Sequence, residues 1–271
     1  MICLYRFFFD ICVCVYISEK LYEEYRHEIN SIFTTFEYGH YNGSLKVIGI
    51  LIHSEDEQVY DIPVHCQFMF DTKSVAGYFY LANYMQEVIS HILYCTTLHG
   101  SLVQIENKNI LIVGTRKSGK TTLTKYLIDK YNAGYLDDDH IYIQKGWYMG
   151  LNMPLFVRNT EESLPRASYE TFDEEGTKRR AIIPDNRIKM VNSVDLVLFP
   201  HYDSSAKKYT IEKKDGTMLF QNLMNNVRFS GDHKNLFGDL VKLSKSVTAY
   251  EIYYAYFDWV DKLLELGGTL P

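Results

Sequence analysis

Two short apolar runs, a glycine-rich loop and an amphipathic segment follow one another without a gap, and they predict an α/β fold. The runs cover residues 102–105 and 110–113, with polar Glu106, Asn107, Lys108 and Asn109 between them, so they read as a β-hairpin. The loop is Gly-Thr-Arg-Lys-Ser-Gly-Lys-Thr at 114–121. The segment at 121–131 places Leu123, Leu127 and Tyr131 on one helical face, and 132–134 ends it.

Composition sets the outer limits. The chain has 271 residues, enough for one large domain or two small ones. Hydrophobic residues make up 46% and charged residues 23%, which supports an ordinary core. The net charge is −6 with no strongly basic stretch, which argues against a nucleic-acid partner. Five cysteines, Cys3, Cys12, Cys14, Cys66 and Cys95, include no C-x-x-C pair, so a zinc site is not expected. They read as free buried thiols in a reducing, cytoplasmic setting. Cys12-x-Cys14 reads as alternation within a strand rather than as a chelate.

The N-terminal run 1–18 is apolar, but Arg6 and Asp10 interrupt it. No uninterrupted run approaches the ~20 residues of a spanning helix, and no small-residue cleavage site follows. No membrane partner is expected. Strands are predicted over 11–17, 45–53, 58–62 and 65–70, a helix over 21–32, and turns at Asn42-Gly43 and 53–57. Residues 1–80 therefore form a small N-terminal strand-rich region, and 81–271 the main domain.

Met85, Val88, Ile89, Ile92 and Leu93 give 82–95 a helical period. The hairpin, loop and helix come next, then a strand over 141–143. The polar stretch 159–187, with Glu161-Glu162 and the charges from Glu174 to Arg180, reads as an exposed, mobile loop. A strand over 194–199 ends in Pro200-His201-Tyr202. Helices over 217–227 and 235–243, a strand over 247–253 and a helix over 258–266 close the chain, with no internal repeat.

The loop fits the G-x-x-x-x-G-K-[ST] pattern in its proper context, strand before and helix after. Backbone N–H groups of Thr115, Arg116, Lys117, Ser118 and Thr122 can converge on phosphate oxygens. Gly114 and Gly119 allow close approach and unusual dihedrals. Lys120 supplies a point charge, the Thr121 hydroxyl can ligate Mg²⁺, and the helix N-terminus faces the anion. The blander account is a glycine-rich strand–helix turn. One helix later stand Asp137, Asp138 and Asp139, at a predicted strand start. Three adjacent carboxylates repel one another, and they make sense where a metal ion and a hydroxyl proton share a site; otherwise they are a solvated turn. His99, at the head of the hairpin, is within reach of such a site or is simply structural.

Leu98-His99-Gly100, the run from Ile110 to Gly114, the loop, and Asp138-Asp139-His140-Ile141 together resemble the catalytic domain of the HPr kinase/phosphorylase family. The resemblance is specific over 98–143 and extends weakly to 194–202, about half the chain. It is nearest in layout to the kinases of lasso-peptide and other ribosomal-peptide pathways, which phosphorylate a precursor serine. The resemblance implies the P-loop fold shared by the HPr kinase C-terminal domain and PEP carboxykinase, with ATP and Mg²⁺. It implies phosphate and metal roles for Lys120 and Thr121, and a place beside the γ-phosphate for His99.

The aspartate register stays open. Counting from Gly114 matches Asp137 and Asp138, whereas matching the following strand selects Asp138 and Asp139. We prefer the strand register, with Asp138 as catalytic base, Asp139 as Mg²⁺ ligand and Asp137 as the alternative ligand. The family also uses a later arginine or lysine on the transferring group. Arg158 is the candidate here, ahead of Arg179, Arg180 and Lys189. The family's phosphorolysis signature is not recognisable.

The expected activity is Mg²⁺-assisted phosphoryl transfer from ATP to a serine hydroxyl of a peptide or protein. Alternatives are a free-serine kinase, an HPr-type regulator and a non-catalytic nucleotide-binding module. A homo-oligomer is compatible with all of them.

Overall fold

A computed structural model of the chain describes residues 2–8, 11–32, 37–38, 46–54, 66–70, 76–158, 168–172, 177–230 and 233–265. They fall into two units, one within 1–92 and 151–183, the other within 93–150 and 184–271. This division does not follow the boundary expected at residue 80, because the chain returns to the first unit after completing part of the second. The strand expected over 58–62 and the turn at Asn42-Gly43 lie outside the described residues.

In the first unit β1 (Ile2–Phe8) pairs antiparallel with β2 (Ile11–Ile17). Ser18 opens α1 (Glu19–Ile32), its Oγ accepting the Leu21 N–H at 3.2 Å. Then come β3 (Glu37–Tyr38), β4 (Lys46–Ser54) and β5 (Cys66–Phe70), in the sheet order β3-β1-β2-β4-β5. The central position of β2 explains its run of Ile, Val and Cys with no polar face. Cys12 and Cys14 share one side of it, their Sγ atoms 3.9 Å apart, and burial pushes the Cys14 thiol up to about 12. In α2 (Ala76–Leu93), Ala82, Met85, Ile89 and Leu93 form the buried stripe.

The second unit begins with β6 (Thr96–Leu98), then β7 (Gly100–Ile105) and β8 (Lys108–Val113). The last two form the predicted hairpin, with Ile105 opposite Lys108. Its turn is only Glu106-Asn107, shorter than the polar stretch suggests, and Glu106 takes the left-handed φ of 53°. After it come α3 (Lys120–Tyr131), closed by left-handed Asn132, then β9 (Gly134–Asp137), β10 (Ile141–Gln144) and β11 (Trp147–Met149).

The chain now returns to the first unit as β12 (Leu155–Arg158), β13 (Ser168–Phe172) and β14 (Lys178–Ile182), a small sheet with β14 in the middle. The stretch read as an exposed loop thus contains two strands. Consecutive charges at Lys178, Arg179 and Arg180 hid the period-2 signal that ends in buried Ala181 and Ile182.

The second unit is completed by β15 (Met190–Val191), β16 (Leu196–Tyr202), β17 (Thr210–Lys214), α4 (Gly216–Met224), β18 (Val227–Ser230), α5 (His233–Ser246), β19 (Thr248–Tyr254) and α6 (Val260–Glu265). It contains two sheets, β17-β19-β16-β8-β7-β9 and β15-β11-β10-β6-β18. Strands β8, β16 and β19 run parallel, and the others pair antiparallel. Pro200 is tolerated because β16 has left β8 by then, its last partner there being Leu198 opposite Ile112. Leu98, Leu102, Leu111, Leu136, Val197 and Leu240 belong to one buried core.

Two neighbouring strands change sheet at the same place. The chain leaves β6 for β7 through His99, and leaves β9 for β10 through Asp138, Asp139 and His140. Leu98 pairs with Ile141 on one side of the step and Leu102 with Asp137 on the other. That double crossing brings together residues forty apart in sequence. Among the described residues no helix is long and apolar enough to cross a membrane.

Candidate functional site

The loop at 114–121 joins the end of β8 to α3 and is shaped by close packing. Lys117 and Gly119 have φ of 71° and 100°. A Cβ on Gly119 would lie 2.7 Å from Tyr254 Oη and 3.0 Å from Tyr202 Cβ, so only glycine fits. A Cβ on Gly114 would lie 2.7 Å from Ser118 Oγ, inside the turn. That hydroxyl is buried and has no hydrogen-bond partner, an unusual state for a polar atom unless a further acceptor or donor belongs there. Lys120 is also buried, with Nζ donating to Thr115 O at 3.1 Å. Burial lowers its pKa, against the pull of Asp138 and Asp139. The loop thus combines an unsatisfied hydroxyl, a buried ammonium and a cradle lacking Cβ atoms, which suits an anion of phosphate type.

The aspartates close the site from the crossing of β9 to β10. Asp137 is the last residue of β9, and Asp138 and Asp139 form the step before β10, so the triplet joins two strands where the sequence suggested only the start of one. The Asp137 side chain is fully buried and accepts the Asp138 N–H at 2.9 Å. Gly150 packs so tightly there that a Cβ would come within 2.6 Å of Asp137 Cβ. Asp138 accepts the Thr121 hydroxyl at 2.7 Å and, through its other oxygen, the Ser101 hydroxyl. Burial and the neighbouring Asp139 charge push its carboxyl up to about 6, against those hydrogen bonds and Lys120.

Asp139 is left-handed at φ 74° and 44% exposed, with Oδ1 3.0 Å from His99 Nε2. Burial lowers the His99 pKa more than Asp139 raises it, so the ring is neutral near pH 7 and donates Nε2–H to Asp139. Burial also opposes ionisation of Asp139. His99, Arg228 and Lys120 outweigh it and hold the carboxyl below its usual range. His140 is buried with Nδ1 unpartnered, and burial followed by the Arg228 charge drives its pKa to about 3.

His99, Lys120, Thr121, Asp138 and Asp139 are therefore gathered around one loop, joined by Ser101, whose hydroxyl the sequence reading passed over. The sequence reading also missed Arg228. It falls where β18 slips register against β6, between Val227 opposite Leu98 and Phe229 opposite Thr97. An irregularity of that kind re-aims a side chain, and the Arg228 charge acts on His99, Lys120, Asp139 and His140. Its sequence signal was a single arginine between Val227 and Phe229, just past the helix predicted over 217–227. Arg158 belongs to the first unit, on β12 opposite Arg179, with Arg180 the next pair along. Lys189 is exposed ahead of β15.

The class defined by fold and site is a mixed α/β chain whose hairpin runs into an anion-suited loop flanked by carboxylates. No family model and no curated protein matches the chain. A solved structure of the Hpr(Ser) kinase/phosphatase from Coxiella burnetii overlaps it at 12% identity and a TM-score of 0.32, over 63% of this chain and 95% of that one. The function is accordingly read from the site's own geometry.

Proposed function

We propose that the second unit is an ATP-dependent kinase that phosphorylates a serine hydroxyl of a peptide or protein. The observation that carries this is the convergence on one loop of buried Lys120, the Thr121–Asp138–Ser101 chain and the His99–Asp139 pair. A pure nucleotide binder needs one carboxylate for its metal, whereas two in distinct environments suit a metal and a proton.

The residues fit both groups the reaction calls for. Ser118 Oγ, Lys120 Nζ and the backbone of Gly114 to Thr122 would hold the phosphates. Thr121 and Asp139 are hard oxygen donors suited to Mg²⁺. When bound, Mg²⁺ would neutralise phosphate charge.

In the transfer, the bond from the γ-phosphorus to its bridging oxygen breaks as the serine oxygen forms its own bond to phosphorus. ADP leaves, and the hydroxyl proton passes to Asp138, whose raised pKa makes it a competent acceptor. Lys120 and Arg228 offset charge on the transferring group. His99 holds Asp139 in place. Asp137 has a structural task, anchoring the Asp138 backbone.

A second assignment has one observation in its favour. Thr121 Oγ1 and Asp138 Oδ2, 2.7 Å apart, are spaced as neighbouring ligands of one octahedral Mg²⁺ would be. In that version Asp138 is the metal ligand and Asp139 faces the acceptor. Asp138→Asn separates the two. If Asp138 is the base, turnover is lost while Mg²⁺-dependent ATP affinity survives; if it is the ligand, the Mg²⁺ dependence of binding disappears.

The activity itself is tested by mass spectrometry after incubation with ATP, Mg²⁺ and either serine-containing peptides or free serine. A phosphopeptide supports the proposal, phosphoserine alone redirects it to a small-molecule kinase, and nucleotide binding with neither product leaves a non-catalytic module.

A further inference from the structure

We propose that Tyr202 is the platform on which the base of the nucleotide stacks. The inference rests on the reading of 114–121 as a nucleotide loop and adds the part of the ligand that the loop does not hold.

Tyr202 is the last residue of β16, the parallel neighbour of β8. Ligands of parallel sheets lie outside the carboxyl ends of such strands. Its N–H donates to Ser118 O at 3.0 Å, which ties the end of the strand to the loop. A Cβ on Gly119 would come within 3.0 Å of Tyr202 Cβ, so this side chain leaves from the very edge of the phosphate cradle.

Tyr202 is 52% exposed, yet its ring has firm backing. It meets Tyr254 edge-on at 5.9 Å; Tyr254 leans on Trp259 at 5.6 Å and Phe257 at 5.3 Å; Phe257 stacks on Tyr126 of α3 at 4.2 Å. Tyr254, directly behind the solvent-facing Tyr202, is thus braced on one side by buried Trp259 and on the other, through Phe257, by the loop's own helix. Tyr253 is exposed as well, but successive strand residues face opposite ways. It stacks on His201 at 4.6 Å instead. A triphosphate seated in the loop leaves its nucleoside at the rim, where a rigid π-face accepts any base without reading its edge.

The test compares ATP with inorganic tripolyphosphate, which has the phosphates and no base. Binding of both is measured by calorimetry on the full chain, wild type, Tyr202→Ala and Tyr202→Phe. We expect Tyr202→Ala to weaken ATP about tenfold or more and leave tripolyphosphate within about twofold, with Tyr202→Phe close to wild type. Retained tripolyphosphate binding also shows that the loop has folded. Equal weakening of both ligands would reduce Tyr202 to a support for the loop and overturn the proposal, as would unchanged ATP binding. A wild-type protein that binds neither ligand would remove the nucleotide-loop reading itself, a different failure from the other two.

Discussion

Both units draw ionisable groups out of water, one within a central strand and the other at a step between two sheets, and the outcomes are opposite. In β2, Cys12 and Cys14 face each other with apolar strands on either side, and burial raises both thiols. They are neutral and inert. At the crossing of β9 to β10, Asp138 and Asp139 are also drawn in, but Ser101, Thr121, His99 and Lys120 stand around them. One carboxyl is pushed up to about 6 and its neighbour is held below the usual range. Burial alone silences a group, whereas burial beside donors and an opposite charge sets it apart from its neighbour, which is what acid–base chemistry requires.

The largest break in this contrast should come from Lys120→Ala. Removing the buried ammonium should lower turnover with ATP by at least about 10²-fold, measured as phosphopeptide formed per minute, with the circular dichroism spectrum unchanged. Wild-type rates would end the proposed function.

Arg228→Ala should follow, with a loss of roughly 10-fold to 10²-fold in kcat, whereas Arg158→Ala should stay within about twofold. The reverse order would restore the sequence-based candidate.

Asp138 yields a prediction in pH. Its folded pKa, about 6, lies above the ordinary 3.8. The protonated form therefore stabilises the fold fully below the ordinary value, and that contribution is lost as pH rises through about 6. Asp138→Asn, always neutral, should melt a few degrees higher than wild type near pH 8 and gain nothing near pH 3, while its activity disappears. In the wild type, activity should fall on the acid side with a midpoint near 6, because the base must be ionised. A melting temperature near pH 8 that drops on mutation would contradict this picture.

The smallest effect belongs to the silent pair. Cys14→Ala should cost about 1 kcal/mol of stability through the small cavity it leaves, seen in urea denaturation, and should leave kcat per folded molecule unchanged. A change in kcat would give the first unit a role that its buried thiols do not suggest.

The parts legible in sequence were those that local physics writes. The hairpin, the loop and α3 depend on contiguous apolar periods and glycines, and they sit where the sequence reading put them, apart from the shorter turn. What could not be read depends on partners far along the chain. Ser101 matters because Asp138 lies beside it, one step beyond the Leu102–Asp137 pair of neighbouring strands β7 and β9. Arg228 matters because β18 slips by a residue against β6. Asp137 looked like its two neighbours in the triplet, and only the packing of Gly150 against it shows that it turns inward. Strands β6, β9 and β11, only three or four residues long, are too short for a periodic signal.

The double crossing of strands also governs which changes in length this chain can absorb. The turn at Glu106-Asn107 is remote from the crossing and could lengthen with little consequence. The step through Asp138, Asp139 and His140 cannot. It is three residues long between β9 and β10, and both strands are locked in register to neighbours that make the matching step through His99. One residue inserted or removed there would displace Asp138 and Asp139 relative to the two strands that hold the step, separating His99 from Asp139 even though both remained in the sequence. Drift in this molecule should therefore show as substitutions around the crossing and as insertions at remote turns such as Glu106-Asn107.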